Sequence, residues 1–166
     1  MRFVLGQISK IFGFPHPVNE FAARLVAGMV AILCIVLIIG DVRWLIPVLA
    51  YGFFARVISG PNLSPMGLVA TKVLVPLLGN PNRPVAGPPK RFAQSIGFCF
   101  SMSATILAYG FGMFTAAEIL IGVLAAFAVL EAAFGFCAGC FVFGYLIRWG
   151  LIPAETCQKC EDLGFR

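Results

Sequence analysis

The sequence has few charged side chains and a single histidine. Charged residues make up 11% of the 166 residues, whereas hydrophobic residues make up 60%. A soluble domain carries about 25% charged residues, so this chain lacks the polar surface that a particle of its size needs in water. His16 lies between two prolines in FPHPVN, which favours a loop residue over a metal ligand, and no Ser/His/Asp triad can be assembled. The composition therefore indicates an integral membrane protein.

The sequence also lacks a concentrated basic segment. Its formal net charge is +5, but the lysines and arginines are scattered between apolar runs. Basic residues in this arrangement set membrane orientation and contact lipid headgroups, so we expect membrane lipid as a partner and no nucleic acid. GPPKRF has neither the G-K-[ST] of a phosphate-binding loop nor a strand before it.

Four apolar segments approach the roughly 20 residues that cross a bilayer. They cover residues 21–40, 42–59, 92–114 and 117–136. The second is the weakest, because Arg43 and Arg56 lie near its ends. Between the second and third segments, Ser64 and Pro65 have the pattern of an N-cap and a first helical residue, which predicts an amphipathic helix in the membrane interface.

The predicted fold is therefore all-α. It is a single membrane domain over residues 1–166, with four transmembrane helices, an interfacial helix between spans two and three, a short helix after Cys140 and a cysteine-containing tail over 137–166. Small residues would let the 21–59 hairpin approach the 92–136 pair closely; they include Gly28, Ala93, Gly97 and Ala125.

The distribution of basic residues predicts the orientation. With four spans, one side of the membrane receives only Arg43, which lies beside Asp41. The other eleven of the twelve lysines and arginines fall on the opposite side: Arg2, Lys10, Arg24, Arg56, Lys72, Arg83, Lys90, Arg91, Arg148, Lys159 and Arg166. Because cytoplasmic loops carry the basic excess, both termini are predicted to be cytoplasmic.

Two C-x-x-C pairs follow the last span, Cys137 with Cys140 and Cys157 with Cys160. In a reducing cytoplasm such pairs mark metal binding or transient redox chemistry more often than structural disulfides. Three interpretations remain open: four thiolates on Zn²⁺ or Fe, a reactive dithiol with a second relay pair, or inert thiols.

Chain geometry limits the metal interpretation. A helix over 141–151 carries the chain ~16 Å from the first pair at 1.5 Å per residue, and residues 152–156 return at most ~17 Å. We therefore expect the pairs to be near enough to exchange electrons without holding a permanent metal.

The redox interpretation places Cys137 on an exposed turn and Cys140 at the start of the next helix, where backbone amides lower a thiol pKa. Glu131 lies in an apolar stretch shortly before Cys137. It is either a proton acceptor for thiol chemistry or the partner of Arg56 or Arg24 in an interfacial ion pair. Cys34 and Cys99 are expected to be buried and hydrophobic in character.

Three stretches carry a family resemblance: GPNLSPMGLVATKVL, GPPKRFAQSIG, and LEAAFGFCAGC with the later CQKC. They resemble the small bacterial membrane proteins of domain-of-unknown-function family forty-three ninety-five (DUF4395). The resemblance implies a location in the bacterial inner membrane. Members are found near thioredoxin-like and sulfurtransferase genes, which implies thiol or sulfur handling with such a protein partner.

The function predicted from the sequence is a membrane-bound thiol-redox or sulfur-relay protein, with catalytic candidates Cys137, Cys140, Cys157, Cys160 and Glu131. The alternative is an accessory or scaffold subunit of a larger membrane complex, or a homo-oligomer, in which the four cysteines form a structural cluster that could hold zinc. A conduit for a small sulfur compound is a third interpretation. The sequence does not decide whether the protein is an enzyme.

Overall fold

A computed structural model describes residues 17–151. Within that range the chain forms six helices and one pair of two-residue strands. In chain order the elements are β1 (Val18–Asn19), α1 (Glu20–Ile39), α2 (Leu45–Ser59), α3 (Pro65–Leu77), β2 (Pro84–Val85), α4 (Gly87–Gly110), α5 (Phe114–Phe134) and α6 (Ala138–Arg148).

The chain is helical, and three of its helices are long and apolar enough to cross a bilayer: α1, α4 and α5. The remaining helices α2, α3 and α6 are apolar but shorter. Helix α2 has 15 residues, which corresponds to ~22 Å at 1.5 Å per residue. It begins at Leu45 rather than at Val42, because residues 41–44 form the turn that follows α1.

The four longest helices pack mainly in two pairs whose members are not consecutive in the chain. Helix α1 packs along α5, α2 packs along α4, and α4 also contacts α5, whereas α1 and α2 contact each other little. The hairpin of α1 and α2 therefore packs against the α4–α5 pair, as the small residues predicted. Helix α3 contacts α1, and α6 contacts α4. Both short helices lie at the end of the bundle where α1 and α4 begin and α2 and α5 end, hereafter the α3/α6 end.

The start of α1 is held by the loop that precedes α4. The Asn19 side chain accepts a hydrogen bond from the Phe21 amide, as expected of an N-cap, and donates one to the Pro81 carbonyl. Antiparallel pairing of β1 with β2 and the ion pair between Arg83 and Glu20, at 3.1 Å, fasten the same loop to α1.

Two of the long helices begin earlier in the chain than the sequence predicted. Helix α4 starts at Gly87 rather than Phe92, because Pro88 and Pro89 occupy its first turn, where a missing N–H costs nothing. Helix α5 starts at Phe114 rather than Ala117 and ends at Phe134, followed by the C-cap Gly135, which has φ +70°; glycine adopts this left-handed conformation readily at a helix C-terminus.

Helix α3 begins as predicted. The Ser64 side chain accepts a hydrogen bond from the Gly67 amide, and Pro65 is in the first turn. The middle of α3 is a π-helical turn over Ala70–Leu74, and α4 ends in a second one over Ile106–Gly110.

The exterior of the bundle is rich in exposed apolar side chains. Ile39 is 82% exposed, Phe134 78% and Leu77 76%, as suits surfaces in contact with lipid tails. Cys34 is fully buried, as predicted. The prediction for Cys99 is wrong: this residue is exposed, because it lies on the face of α4 that points away from the other helices.

Candidate functional site

Lys90 and Glu131 form a buried ion pair at the α3/α6 end. Lys90 Nζ lies 2.6 Å from Glu131 Oε1, and their side chains are 9% and 15% exposed. Lys90 is in the first turn of α4 and Glu131 in the last turn of α5, so the pair joins two antiparallel helices. A carboxylate among apolar residues requires such a partner.

The partner of Glu131 differs from the two that the sequence suggested. Arg24 instead donates hydrogen bonds to the carbonyls of Ala132 and Ala133, where a cation complements the C-terminal end of a helix. Arg56 lies close enough to Glu131 to interact electrostatically, but it makes no direct bond to it. Lys90 is nearer because the early start of α4 places it inside the bundle.

Arg56 is the second buried cation of this region, and it is 4% exposed. Its Nε donates to Gln94 Oε1 at 2.8 Å, and its Nη1 contacts Ser64 Oγ at 3.3 Å. The guanidinium also lies over the Phe53 ring, 4.4 Å from the centroid. Its Nη2 is buried and has no hydrogen-bond partner among the described residues.

Cys137 and Cys140 lie beside this charge cluster. Cys137 is the N-cap residue of α6, and Cys140 is in the first turn of that helix. We expected Cys137 on an exposed turn, but it is 9% exposed and Cys140 8%. The burial follows from Gly139: a Cβ there would lie 2.6 Å from the Ala93 Cα, so α6 packs directly against the backbone of α4.

The two thiols are inequivalent. The pKa of Cys137 lies below its ordinary value because the Cys140 thiol donates a hydrogen bond to the Cys137 sulfur; the Lys90 charge acts in the same direction. The pKa of Cys140 is raised, because this thiol keeps its proton for that hydrogen bond and is also buried. Only a thiolate is nucleophilic, so the geometry favours Cys137 as the nucleophile and Cys140 as the second, protonated thiol.

Two cavities meet at Arg56 and Gln94. The first, hereafter the thiol cavity, has a volume of about 190 Å³ and is lined by apolar side chains together with Arg56, Gln94, Glu131 and Cys137. The second, hereafter the cation cavity, has a volume of about 180 Å³ and is lined by Arg56, Lys90 and Gln94 among mostly apolar residues. The Cys137 sulfur is therefore buried but lines a space that a small molecule could occupy.

The proposed four-cysteine cluster is only partly within the described residues. Cys157 and Cys160 lie outside residues 17–151, as does His16. Within residues 17–151, no three His, Cys, Asp or Glu side chains converge in an arrangement that could hold a metal ion. A metal on all four cysteines stays an alternative interpretation, and the expectation that the pairs hold no permanent metal stays a prediction.

Sequence reasoning missed Lys90 and Gln94 as members of the site. Their signal was available in GPPKRFAQ: if the two prolines start a helix, Lys90 and Gln94 are four residues apart and lie on one helix face. Starting the third predicted span at Phe92 left Lys90 outside the helix and removed that periodicity from consideration.

The fold and the site define a class: a helical protein with three helices able to cross a bilayer and, at one end of its bundle, a buried ion pair beside a C-x-x-C thiol pair. Within that class the particular family is shown by sequence. The chain belongs to the family described as Domain of unknown function (DUF4395), whose model matches residues 18–148. No curated protein and no solved structure matches the chain.

Proposed function

We propose that the protein is a multi-pass membrane protein that carries out thiol–disulfide exchange or sulfur relay through Cys137 and Cys140. The observation that carries this proposal is the placement of Cys137: it lines the thiol cavity with Arg56 and Glu131, while Cys140 hydrogen-bonds to its sulfur. Disulfide exchange requires a nucleophilic thiolate and a second thiol within reach, and a nearby cation such as Lys90 favours the thiolate.

In the exchange reaction, the Cys137 thiolate attacks one sulfur of a substrate disulfide. An S–S bond forms between Cys137 and the substrate, and the other substrate sulfur leaves as a thiolate. Cys140 then loses its proton and attacks the Cys137 sulfur. The Cys137–Cys140 disulfide forms, the substrate leaves as a dithiol after taking up two protons, and two electrons have passed to it. A protein dithiol of the thioredoxin-like class reduces the pair again by the reverse exchange.

Sulfur relay would use the same nucleophile. The Cys137 thiolate attacks the terminal sulfur of a persulfide on a sulfurtransferase, the sulfur moves to Cys137, and the donor cysteine leaves as a thiolate. We propose that Cys157 and Cys160 are the second pair, which passes electrons or sulfur between Cys137 and the soluble partner.

The charged neighbours support a thiolate in a buried position. Lys90 and Arg56 carry two positive charges against the single negative charge of Glu131, so an additional negative charge on Cys137 balances the cluster. A buried charge is costly unless it is compensated. Glu131 opposes the thiolate, so its proposed role is to hold Lys90 in place rather than to accept the thiol proton.

We further propose that α2 is a fourth span, that α3 lies in the interface, and that the α3/α6 end faces the cytoplasm of a bacterial cell. Helix α2 packs along α4, which is long enough to cross a bilayer. It exposes Val48, Tyr51 and Phe54, as a lipid-facing helix would. The described basic residues other than Arg43 belong to the segments at the α3/α6 end.

Site-resolved alkylation tests the proposal. The native protein in detergent is labelled with iodoacetamide from pH 5 to pH 10, and each cysteine peptide is quantified by mass spectrometry. Because the pKa of Cys137 is lowered and that of Cys140 is raised, Cys137 labelling should reach its half-maximum at lower pH than in the denatured protein. Cys140 should label only at higher pH.

Two variants test whether the Lys90 charge, rather than the net charge of the protein, lowers the pKa of Cys137. Lys90→Gln removes the cation beside the thiols and should move the Cys137 profile to higher pH. Arg43→Gln removes the same charge at the opposite end of the bundle and should leave the profile unchanged. Equal pH profiles for both thiols in the folded and denatured protein would remove the case for exchange and favour the scaffold with a structural cysteine cluster.

A further inference from the structure

The cation cavity has an unusual balance of charge among its lining residues. Two of them, Arg56 and Lys90, are buried cations, and none is an aspartate or a glutamate. Three neutral polar residues also line it. The Thr71 hydroxyl already donates to the Gly67 carbonyl and the Asn19 amide to the Pro81 carbonyl, whereas Gln94 adds a side-chain amide that can donate hydrogen bonds. The other lining residues are apolar or glycine, so a ligand here would lie largely against apolar side chains.

Arg56 is only partly satisfied by the protein. Two of its nitrogens have partners, Gln94 for Nε and Ser64 for Nη1, but Nη2 is buried and has none among the described residues. Leaving a buried charged donor unsatisfied costs more than leaving a neutral one. The Glu131 carboxylate, which interacts with Arg56 electrostatically, is already bonded to Lys90, so the guanidinium keeps a donor that no described residue uses.

We propose that the cation cavity binds a phosphate-type oxyanion, with Arg56 as the principal ligand and Lys90 as a second cation. A planar guanidinium presents its N–H groups in the geometry that oxyanions accept. Lys90 uses one of its three donors on Glu131 and retains others. The volume of about 180 Å³ corresponds to about six water molecules, which is enough for a small oxyanion with part of its hydration.

This site does not require the proposed thiol exchange, although it uses the same two cations that balance the Cys137 thiolate. The two cavities share Arg56 and Gln94, but Cys137 and Cys140 do not line the cation cavity. The oxyanion could be a free anion or the phosphate of an acidic phospholipid, since the helices around it are apolar and exposed to lipid. Binding is expected to persist when Cys137 is replaced by serine.

Thermal unfolding tests the site. The protein is purified in an uncharged detergent, and its Tm is measured by tryptophan fluorescence with increasing sodium phosphate at constant ionic strength, maintained with sodium chloride. A second series adds phosphatidylglycerol, and a third adds phosphatidylcholine, to the micelles. A ligand that binds only the folded state raises Tm in a saturable way, so we expect a saturable rise with phosphate or with phosphatidylglycerol, and a smaller one with phosphatidylcholine.

Variants then assign the effect to the cavity. Arg56→Gln should raise the half-saturation concentration about ten-fold or more, as loss of a hydrogen bond to a charged group does. Arg56→Lys keeps the charge without the planar guanidinium and should raise the half-saturation concentration several-fold. This second variant keeps the test usable if Arg56→Gln does not fold. Arg43→Gln, the matched loss of an arginine at the far end, should behave like the unmodified protein.

The outcomes are distinguishable. A rise with free phosphate identifies a soluble anion as the ligand, whereas a rise only with phosphatidylglycerol identifies a lipid headgroup. If none of the additives raises Tm in a saturable way, or if both Arg56 variants respond as Arg43→Gln does, the proposed site is overturned. The Cys137→Ser variant lacks the thiolate that competes for the same cations and should bind the anion at least as tightly as the unmodified protein, which keeps this result independent of the thiol chemistry.

Discussion

At the scale of single residues, the ion pair between Lys90 and Glu131 explains why two charges persist in an apolar bundle. The two residues are 41 positions apart in the chain, and each would be costly to bury alone. A buried pair contributes little compared with two well-packed apolar residues, but breaking it by removing one partner leaves an uncompensated charge. The pair therefore fixes the register of α4 against α5.

Glu131→Gln should destabilise the protein by about 3 kcal/mol, because it leaves the Lys90 ammonium buried without its counter-charge. The combined Lys90→Met and Glu131→Gln variant should recover at least half of this loss. Denaturant or thermal unfolding in detergent measures both. Asp41→Asn serves as the control: it breaks the exposed Arg43–Asp41 pair, which should cost under about 1 kcal/mol. A loss for Glu131→Gln no greater than that of the control would contradict the role given to the pair.

The inequivalence of the two thiols leads to a second residue-scale prediction. Cys140→Ser removes the thiol that would resolve a mixed disulfide while retaining Cys137 as a nucleophile. The variant should therefore accumulate a covalent adduct with the proposed thioredoxin-like or sulfurtransferase partner, visible on a non-reducing gel and lost on adding a thiol reductant. Cys137→Ser should accumulate none. An adduct that forms equally in both variants would show that Cys137 is not the attacking thiol.

At the scale of elements, the docking of α6 on α4 decides where the thiols lie. Helix α6 has 11 residues, too few to be stable alone in water, so its position depends on packing. Gly139 allows it to contact Ala93, and the ring of Phe143 on α6 packs against Phe92 on α4, with centroids 5.5 Å apart. These contacts bring Cys137 and Cys140 beside Lys90.

Gly139→Ala should therefore displace α6 and disturb the thiol site. The new Cβ would lie 2.6 Å from Ala93 Cα, so one helix must move, and overpacking of this kind costs about 1–3 kcal/mol. The pH profile of Cys137 alkylation should shift towards that of the denatured protein.

Gly144→Ala provides a matched control in the same helix. A Cβ at this position meets no atom within 4 Å, and alanine is favoured over glycine in a helix by up to about 1 kcal/mol. Stability should rise or remain unchanged, and the alkylation profile should not change. If both variants leave the profile unchanged, close packing at Gly139 does not position the thiols.

At the scale of the whole molecule, the bundle separates its polar groups between two ends. The α3/α6 end contains the ion pair, Arg56, the thiols and both cavities. The opposite end is held by Arg43, whose guanidinium lies 4.3 Å from the Phe114 ring centroid and whose carbonyl accepts a hydrogen bond from Tyr109. This separation supports a fixed orientation in the membrane.

The orientation leads to a prediction for topology reporters in a bacterial host. A reporter that is active only in the cytoplasm should function when fused after Arg166 and be inactive when inserted at Asp41. A reporter that is active only in the periplasm should give the opposite result. Periplasmic activity after Arg166 would refute the proposed placement of the thiol site.

Some parts of the fold could be predicted from the sequence alone. The lengths of the apolar segments predicted α1 and two further long helices. Crossing a bilayer requires about 20 consecutive apolar residues, and such a segment can be read directly from the sequence. The caps at Asn19 and Ser64 were predictable because capping depends on residues within one turn of the cap. A partner for Glu131 was also predictable in kind, since an isolated charge in an apolar stretch needs one.

Other features depended on tertiary structure. The choice of Lys90 over Arg24 and Arg56, the burial of Cys137 and the exposure of Cys99 each depend on which helix faces which. Those facings are set by contacts between residues far apart in the chain, such as Gly139 with Ala93. The sequence determined that this protein is a helical bundle suited to a membrane and that a carboxylate in an apolar stretch precedes the first C-x-x-C pair. Only the packing of α4 against α5 and α6 decided that a lysine pairs with that carboxylate and that the thiols lie beside it, because side chains separated by tens of residues meet only once the helices pack.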